Sequence, residues 1–325
     1  MLLDIRHITR YHYERPVRES VMELRMQPQK SVRQRLISFD LELDPRAQVF
    51  SYADPFGSAV HHFDVPQPHD ELTIVARSCV ETQAPPEAPD VLDIGEWDRL
   101  KSGFIQAECF DFLRMGGFIV ESPALAEFMS AKGLDAPRLR DPMTALRALN
   151  QTIYDSFAYR PGVTDAESPI DAALELGAGV CQDFTHLMLA ICRTWGLPAR
   201  YVSGYLYNDR KHGDRSAPDA THAWAEVFLP SCRWVGFDPT NNMLAGERHV
   251  AVGVGRDYDD VPPSRGVYKG DSQSQVGVDV SVTRAKAAIG EPEFFNLPRP
   301  AFRGGRRRPF DAFREEQQQQ EQQQQ

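Results

Sequence analysis

The hydrophobic periodicity of this chain changes twice, and each change limits the possible fold. Apolar residues alternate with polar ones over residues 37–44 and again over 71–80. From residue 91 to 195 they recur at helical spacing, and after residue 198 the alternation returns. This order predicts a sandwich or barrel of short antiparallel strands, then a helical stretch, then further strands. The first two strands should each have an apolar face, made of Ile37, Phe39, Leu41 and Leu43 and of Leu72, Ile74, Ala76 and Val80.

Shifts in composition divide the 325 residues into four regions. The proline-rich segment TQAPPEAPD separates the first strands from the helices, and the chain ends in the low-complexity segment QQQQEQQQQ. We therefore expect an N-terminal β domain over residues 1–85, a proline-rich linker with helices over 86–140, a core with C-terminal strands over 141–285, and a disordered tail rich in arginine and glutamine over 286–325.

The helical stretch carries signals that mark where helices begin and end. An Asp-Pro pair at 141–142 supplies a cap and a first-turn proline ahead of apolar residues at helical spacing. A Ser-Pro pair at 168–169 repeats that signal before a short helix that should end near Gly177. A further helix should begin around Cys181 and end at Gly196. These signals predict the helices of the core.

Charge and composition narrow the classes of function. The formal net charge of −10 disfavours a general nucleic-acid binder or a binder of anionic membranes. The N-terminal residues lack the apolar stretch of a secretory signal, and no apolar run approaches the roughly 20 residues of a membrane span. The five cysteines have no paired spacing, which favours reduced thiols. We expect a cytoplasmic protein whose partner is a peptide or protein substrate, not a nucleic acid or a membrane.

A cysteine stands at the predicted start of a helix, in the segment GAGVCQDFTH (177–186). Unpaired N–H groups and the positive end of the helix dipole favour a thiolate there, and the thiolate is the nucleophilic form. Glycines at 177 and 179 let the backbone turn tightly and let a substrate approach. The backbone N–H of Cys181 could then donate to a developing oxyanion. Taken alone, a single cysteine is more often a small buried hydrophobic residue.

A histidine and an aspartate fall on two strands that should pair as a hairpin. His222 begins the strand HAWAEVFL, and Asp238 ends the strand RWVGFD. If Leu229 lies opposite Arg233 across the Pro-Ser-Cys turn, position 224 faces position 238. Asp238 then lies diagonally beside His222 on the same face of the sheet. Taken alone, His222 could be a packed structural group and Asp238 a turn residue.

Together these groups predict a cysteine nucleophile with its base. Cys181 would attack a carboxamide carbon, His222 would protonate the leaving amine, and Asp238 would orient the imidazole ring. A zinc site is the competing interpretation, with His186 as a fourth ligand. His186 lies five residues past Cys181 and off its helix face, so we expect it to be packed or hydrogen-bonded. We expect no metal and no cofactor.

The segments that carry these residues resemble the transglutaminase-like superfamily. GVCQDFTHLMLAICRTWGLPARYVSGYL, HAWAEVFLPSCRWVGFDPTNN and GRDYDDVPPSRGVYKG are similar to its bacterial and archaeal cysteine peptidase branch. YHYERPVRES, LRMQP and DPFGSAVHHF resemble the β domain that precedes the core in that branch. The resemblance covers residues 1–285. It implies an α+β fold in which an antiparallel β-sandwich precedes a papain-like core, with the catalytic residues Cys181 at a helix N-terminus and His222 and Asp238 on an antiparallel sheet.

One departure from the family pattern concerns the oxyanion hole. In animal transglutaminases an upstream tryptophan helps to form it, but here no tryptophan lies between Trp97 and Cys181. Tyr159 is a candidate substitute donor, and a packed aromatic is the alternative. Further candidates for the oxyanion hole or the substrate pocket are Gln182, Trp224 and Tyr258. The calcium dependence of the family belongs to its animal members, and this sequence has no oxygen-rich calcium loop.

Three functions remain compatible with the sequence. The first is a cysteine peptidase or amidase, in which water resolves the thioester. The second is acyl transfer from glutamine to an amine, and the third is a non-catalytic binding module with the same fold. The three complete functional groups argue against the third. Because water is the default acceptor, we expect a hydrolase, although both enzymes would form the same acyl-enzyme.

Overall fold

In the order of the described residues, a group of strands comes first, a helical section follows, and a second group of strands comes last. The structure is a computed structural model that describes residues 1–208, 213–218 and 220–285, so the expected disordered tail lies outside the described residues. The strands within these ranges are β1 (Leu2–Val17), β2 (Glu19–Leu24), β3 (Gln34–Asp44), β4 (Phe50–Ala53), β5 (Ala59–Val65), β6 (His69–Thr82), β7 (Ala158–Tyr159), β8 (Ala178–Gly179), β9 (Ala199–Leu206), β10 (His222–Leu229), β11 (Arg233–Asp238), β12 (Met243–Leu244), β13 (His249–Gly255), β14 (Ser264–Lys269) and β15 (Ser274–Arg284). The α-helices are α1 (Glu96–Arg99), α2 (Gly103–Glu108), α3 (Pro123–Ala131), α4 (Pro142–Ser156), α5 (Ile170–Leu176) and α6 (Cys181–Thr194).

The N-terminal strands form the predicted antiparallel sandwich. One four-stranded sheet has the order β15-β1-β6-β3, and the other has the order β14-β2-β5-β4. Alternate side chains of both sheets point inward and form one apolar core between them. That core contains Met22, Leu24, Phe63, Val65, Leu72, Ile74 and Ala76, and Phe39, Leu41 and Leu43 pack against it.

Ile37 does not join the apolar face that was expected for its strand. The pairing of β3 with β6 shifts register between Leu36 and Ser38, so Ile37 sits in a β-bulge. Because a bulge inserts an extra residue, it changes the face to which side chains point. Ile37 is 45% exposed as a result.

The two C-terminal strands pair with the sandwich, whereas the sequence grouped them with the core. β14 pairs antiparallel with β2, and β15 pairs antiparallel with β1. The alternation in VGVDVSV predicts a strand, but it carries no information about which sheet the strand will join. Each strand forms an edge of one sandwich sheet.

The predicted helix ends are confirmed for the helices that lead to Cys181. The Asp141 carboxylate accepts hydrogen bonds from the backbone N–H groups of Met143 and Thr144 at 3.1 and 3.2 Å, which caps α4. Helix α5 ends at Gly177, whose φ of 59° is in the left-handed region that favours glycine. Helix α6 begins at Cys181 as predicted. No helix within the described ranges is long and apolar enough to cross a membrane.

A central helix packed on a five-stranded sheet forms the core. The strand order of this sheet is β12-β11-β10-β9-β13. Helix α6 is buried from Asp183 to Arg193 and packs against β10 and β9. Ala223, Ala225 and Val227 of β10 share its apolar cluster. These features confirm the predicted α+β fold, in which an antiparallel sandwich precedes a papain-like core along the chain.

Strand β13 joins the core sheet to the sandwich. The Gln34 side chain donates to the Ala251 carbonyl at 2.7 Å and accepts from the Ala251 N–H at 2.9 Å. Nearby, the Thr82 hydroxyl donates to the Glu247 carbonyl at 2.6 Å. An apolar cluster crosses the same junction, with Leu3, Ile5 and Val80 on one side and Tyr205, Val250 and Val252 on the other. The sandwich thereby fixes the strand at one edge of the core sheet.

Candidate active site

The Cys181 thiol lies at the N-terminus of α6, where the preceding loop is firmly held. Asp183 accepts hydrogen bonds from the Val180 N–H and from the Thr164 hydroxyl, both at 2.7 Å. A Cβ atom at Gly179 would lie 2.6 Å from the same carboxylate, so only glycine leaves that side chain in place. Cys181 itself is partly exposed. Its sulfur therefore combines access to a substrate with the positive end of a helix dipole.

The hairpin of β10 and β11 has the register that the sequence predicted. Leu229 pairs with Arg233, which leaves His222 and Asp238 on one face. His222 Nε2 lies 2.7 Å from the Asp238 carboxylate. Both side chains are buried, with residue exposures of 3% and 0%. The carboxylate therefore holds the imidazole in one orientation and one charge state.

Charge balance keeps a proton on His222. Burial disfavours the imidazolium, but attraction to Asp238, the hydrogen bond to it and the proximity of Cys181 outweigh burial and raise the pKa of His222 to about 10. Because Nε2 bonds to Asp238, Nδ1 is the nitrogen left for the thiol. Nδ1 is buried and has no partner within ordinary hydrogen-bond geometry among the described residues, although the sulfur still acts on the ring electrostatically. Catalytic hydrogen bonds often tighten only when substrate binds.

Asp238 is the hub of a buried hydrogen-bond network. One carboxylate oxygen accepts from the backbone N–H groups of Thr240 and Asn241 at 3.0 and 3.1 Å. The other accepts from His222, from the Asn241 side-chain amide at 2.8 Å, and from His249 Nε2 at 3.2 Å. Burial alone would raise the pKa of Asp238, but the positive charge of His222 and these donors hold it well below its usual range. Asp238 is thus ionised and fixed in position.

Asn241 and His249 were not singled out from the sequence. Asn241 has a local signal, because it lies three residues past Asp238 in an Asp-Pro-Thr-Asn turn, and such turns bring side chains back to the backbone. His249 has no such signal. It reaches Asp238 because β13 crosses to the far edge of the sheet and pairs with β9, a placement that requires the tertiary fold.

The side chains of His222, Asp238 and His249 bring three potential metal ligands together. One ligand atom from each lies within 4.8 Å of the others. However, His249 Nδ1 accepts a hydrogen bond from the Gly246 N–H at 3.1 Å, so its proton is on Nε2, the atom that would have to coordinate. The 2.7 Å separation between His222 and Asp238 is also that of a hydrogen bond. The chemistry of this set therefore favours a hydrogen-bond network over a metal site.

His186, the fourth ligand of the zinc interpretation, is used elsewhere. Its Nε2 accepts from the Tyr258 N–H at 3.2 Å, and its ring stacks on Phe118 with the centroids 5.0 Å apart. Burial, and then the nearby charge of Arg193, lower the pKa of His186 to about 3. The side chain is packed and hydrogen-bonded, as the sequence led us to expect, and it is neutral.

Two of the candidate oxyanion residues make contacts of their own. The Tyr159 hydroxyl accepts from the Ala217 N–H at 3.3 Å, and the ring is partly buried against the core. The Gln182 side chain donates to the Ala166 carbonyl at 3.0 Å. A role for either residue in the oxyanion hole stays a prediction.

The two aromatic candidates, Trp224 and Tyr258, differ in how deeply they are buried. Trp224 is buried and stacks on His222, with ring centroids 6.2 Å apart. Tyr258 is partly buried, and its ring meets Tyr201 edge-on at 6.3 Å. A cavity of about 790 Å³ has Trp224 and His249 in its wall, but among the described residues its lining includes neither Cys181 nor His222. Trp224 therefore contacts the His222 imidazole and also lines this cavity.

Comparison with known proteins matches both parts of the chain to families. Residues 3–81 match the bacterial transglutaminase-like N-terminal region, and residues 134–239 match the transglutaminase-like superfamily. The first match lies in the sandwich. The second includes α4, α6 and the hairpin, and it therefore contains Cys181, His222 and Asp238.

Relatives and a solved structure resemble nearly the whole chain. An uncharacterized protein of Mycobacterium leprae is 34% identical over 279 residues, which are 86% of this chain and 97% of that protein. An uncharacterized protein of Mycobacterium tuberculosis is 37% identical over 290 residues, which are 86% and 90% of the two chains. A Cytophaga hutchinsonii structure described as a candidate cysteine protease has a TM-score of 0.67 at 18% identity, covering 88% of this chain and 92% of that one, which shows the shared fold. The chain belongs to the transglutaminase-like superfamily, in the bacterial branch that carries this N-terminal region.

Proposed function

We propose that the protein is a cysteine-dependent hydrolase, a peptidase or amidase, that cleaves a carboxamide through a thioester. The observation that carries this proposal is the convergence of three groups. The Cys181 thiol lies at a helix N-terminus, and it acts electrostatically on His222, which Asp238 holds at 2.7 Å. This combination supplies a nucleophile, a proton donor and an orienting carboxylate.

Acylation uses the proton that His222 already holds. The Cys181 thiolate attacks the carboxamide carbon, and a carbon–sulfur bond forms as the carbonyl oxygen becomes an oxyanion. When the oxyanion collapses, the carbon–nitrogen bond breaks and Nδ1 of His222 gives its proton to the leaving amine. Asp238 stays ionised throughout, because its hydrogen-bond donors stabilise the anion.

Deacylation reverses the direction of proton transfer. A water molecule attacks the thioester carbon while neutral His222 removes its proton, and the Cys181 thiolate leaves. The products are a carboxylic acid and the restored thiolate–imidazolium pair. Hydrolysis is favoured over transfer because water needs no binding site, whereas an amine acceptor needs one.

A glutamine-containing peptide library distinguishes the two outcomes. The purified protein is incubated with the library, with and without a primary amine, and the products are identified by mass spectrometry. We expect a shortened or deamidated peptide in both samples. A covalent amine adduct would instead support transfer to an amine.

The matched control is Cys181→Ala, which removes the sulfur but keeps the helix. We expect it to give no product, because no other group in the site can form the thioester. Identical product patterns from wild-type protein and Cys181→Ala would contradict the proposal.

The proposed place of action is the cytoplasm. All five cysteines have free thiols, which suits a reducing compartment. Fractionation of cells that produce the protein, followed by immunodetection, tests this. Recovery in a membrane or extracytoplasmic fraction would contradict it.

A further inference from the structure

A second imidazole, that of His249, contacts the Asp238 carboxylate. His249 is 7% exposed, and its Nε2 lies 3.2 Å from the same carboxylate oxygen that bonds to His222. The His249 ring also meets Trp224 edge-on, with the centroids 5.1 Å apart. The proposed mechanism makes no use of this histidine.

The hydrogen bonds of His249 define which of its nitrogens carries the proton. Nδ1 accepts from the Gly246 N–H at 3.1 Å, so the proton of the neutral ring is on Nε2 and points at Asp238. The charged groups that face the ring are Asp238, His222 and Arg248. Burial, opposed by Asp238, lowers the pKa of His249, so the ring is a neutral donor at neutral pH.

The position of His249 depends on the N-terminal sandwich. His249 is the first residue of β13, and two residues later Ala251 is bonded through both its N–H and its carbonyl to the Gln34 side chain of β3. The apolar cluster that contains Val250 and Val252 fixes the same stretch against the sandwich. A strand held by the sandwich therefore delivers a hydrogen-bond donor to Asp238.

We propose that His249 is a positioning residue for the proposed triad: from a strand anchored to the sandwich, it donates to Asp238 and limits how tightly that carboxylate holds the proton of His222. This inference rests on the proposed function of Cys181, His222 and Asp238. Its physical basis is that donors to a carboxylate spread the negative charge over more partners.

Removal of the donor has a defined consequence. The other hydrogen bonds, from His222, Thr240 and Asn241, still hold the carboxylate in place. Without the donor from His249, the negative charge of the Asp238 carboxylate attracts the proton of His222 more strongly. His222 therefore becomes a weaker acid. The leaving amine is then protonated more slowly, while substrate binding is unaffected.

The experiment compares His249→Phe, which removes the donor but keeps a ring, with His249→Gln, which retains an N–H donor. The matched control is His69→Gln in the sandwich, because His69 is also 7% exposed and also makes two hydrogen bonds. The measurements are kcat and KM for the hydrolysis of a library peptide, and the pH titration of the thiolate–imidazolium pair, followed by NMR of the His222 ring. The titration needs no substrate.

For His249→Phe we expect the alkaline limb of the titration to move up by about one pH unit and kcat to fall about three- to tenfold with KM unchanged. His249→Gln should restore most of both values, and His69→Gln should change neither. A titration of His249→Phe that overlays the wild type would overturn the inference. So would an equal titration shift in His249→Gln and His249→Phe.

The titration also separates this inference from the proposed function. If the wild-type protein shows the ion pair but hydrolyses no peptide, the proposed reaction fails while the role of His249 is still decided by the pH shift. If the wild-type protein shows no ion pair at all, both proposals fail together.

Discussion

Among the five cysteines, Cys181 differs from the other four in its surroundings. Burial is the main cause of a raised pKa in each of the other four. The pKa of Cys79 rises to about 11, and the pKa is also raised for Cys109, Cys192 and Cys232. Cys181 instead lies at a helix N-terminus beside a protonated imidazole. We therefore expect iodoacetamide to alkylate Cys181 first at neutral pH, with the sites and rates read by peptide mass spectrometry.

The control for this reactivity is His222→Gln, which removes the cationic partner. Alkylation of Cys181 should slow at least about tenfold, because the sulfur loses its cationic neighbour, while the rates at the other four cysteines stay the same. Equal alkylation rates at all five cysteines of the wild type would show that Cys181 is not activated.

The raised pKa of His222 also predicts how stability depends on pH. Its folded pKa of about 10 exceeds the ordinary value of 6.5, so the folded state binds a proton that the unfolded state releases in between. The stabilisation is fully present below pH 6.5 and is lost as the pH rises towards 10. Between these values Tm should fall more steeply for Cys181→Ala than for Cys181→Ala/His222→Gln, because in both variants no thiol proton offsets the proton on His222. Parallel Tm curves from differential scanning calorimetry would contradict this.

At the scale of elements, the start of α6 depends on a single glycine. A Cβ atom at Gly179 would approach the Asp183 side chain to 2.6 Å and displace the carboxylate that accepts from the Val180 N–H. Gly179→Ala should therefore lower the free energy of unfolding by about 1–3 kcal/mol and slow the alkylation of Cys181. Urea denaturation and labelling kinetics measure the two effects.

Gly103→Ala is the matched control, because a Cβ there meets nothing within 4 Å. It lies in α2, where alanine also has the better helix propensity, so its stability should not fall. If both variants lose the same stability, the contact with Asp183 does not fix the start of α6.

Elements were predictable from sequence where their cause is local. The Asp141 cap and the left-handed Gly177 depend on neighbours within a few residues, and the hairpin register follows from one short turn. The bulge at Ile37 was not predictable, because it arises from the pairing of β3 with β6 across the sheet. The alternation of apolar residues predicts that a segment is a strand, but it does not predict which strand will pair with it.

At the scale of the whole molecule, the last two described strands complete the two sheets that the first strands form. β15 covers the edge of β1, and β14 covers the edge of β2. Val280 of β15 is also buried in the cluster that joins sandwich and core. A chain that ends at Pro263 should therefore have a lower Tm and should aggregate, because two strand edges and an apolar cluster become exposed.

A chain that ends at Ala285 is the control, since it retains both strands. Thermal unfolding and size-exclusion chromatography compare the two chains. An unchanged Tm and a monodisperse profile for the shorter chain would show that β14 and β15 are dispensable for the fold.

The sequence by itself determined the candidate reactive groups of this protein and their local structure. Residue type, helix start and hairpin register predict that Cys181 begins α6 and that His222 and Asp238 share one face of the hairpin, because each of these features rests on short-range geometry. Only the tertiary structure decided that β14 and β15 close the sandwich and that His249 reaches Asp238 from β13. Those contacts join segments that are distant in sequence or on separate strands, and hydrophobic periodicity fixes the face of a strand but not its neighbour.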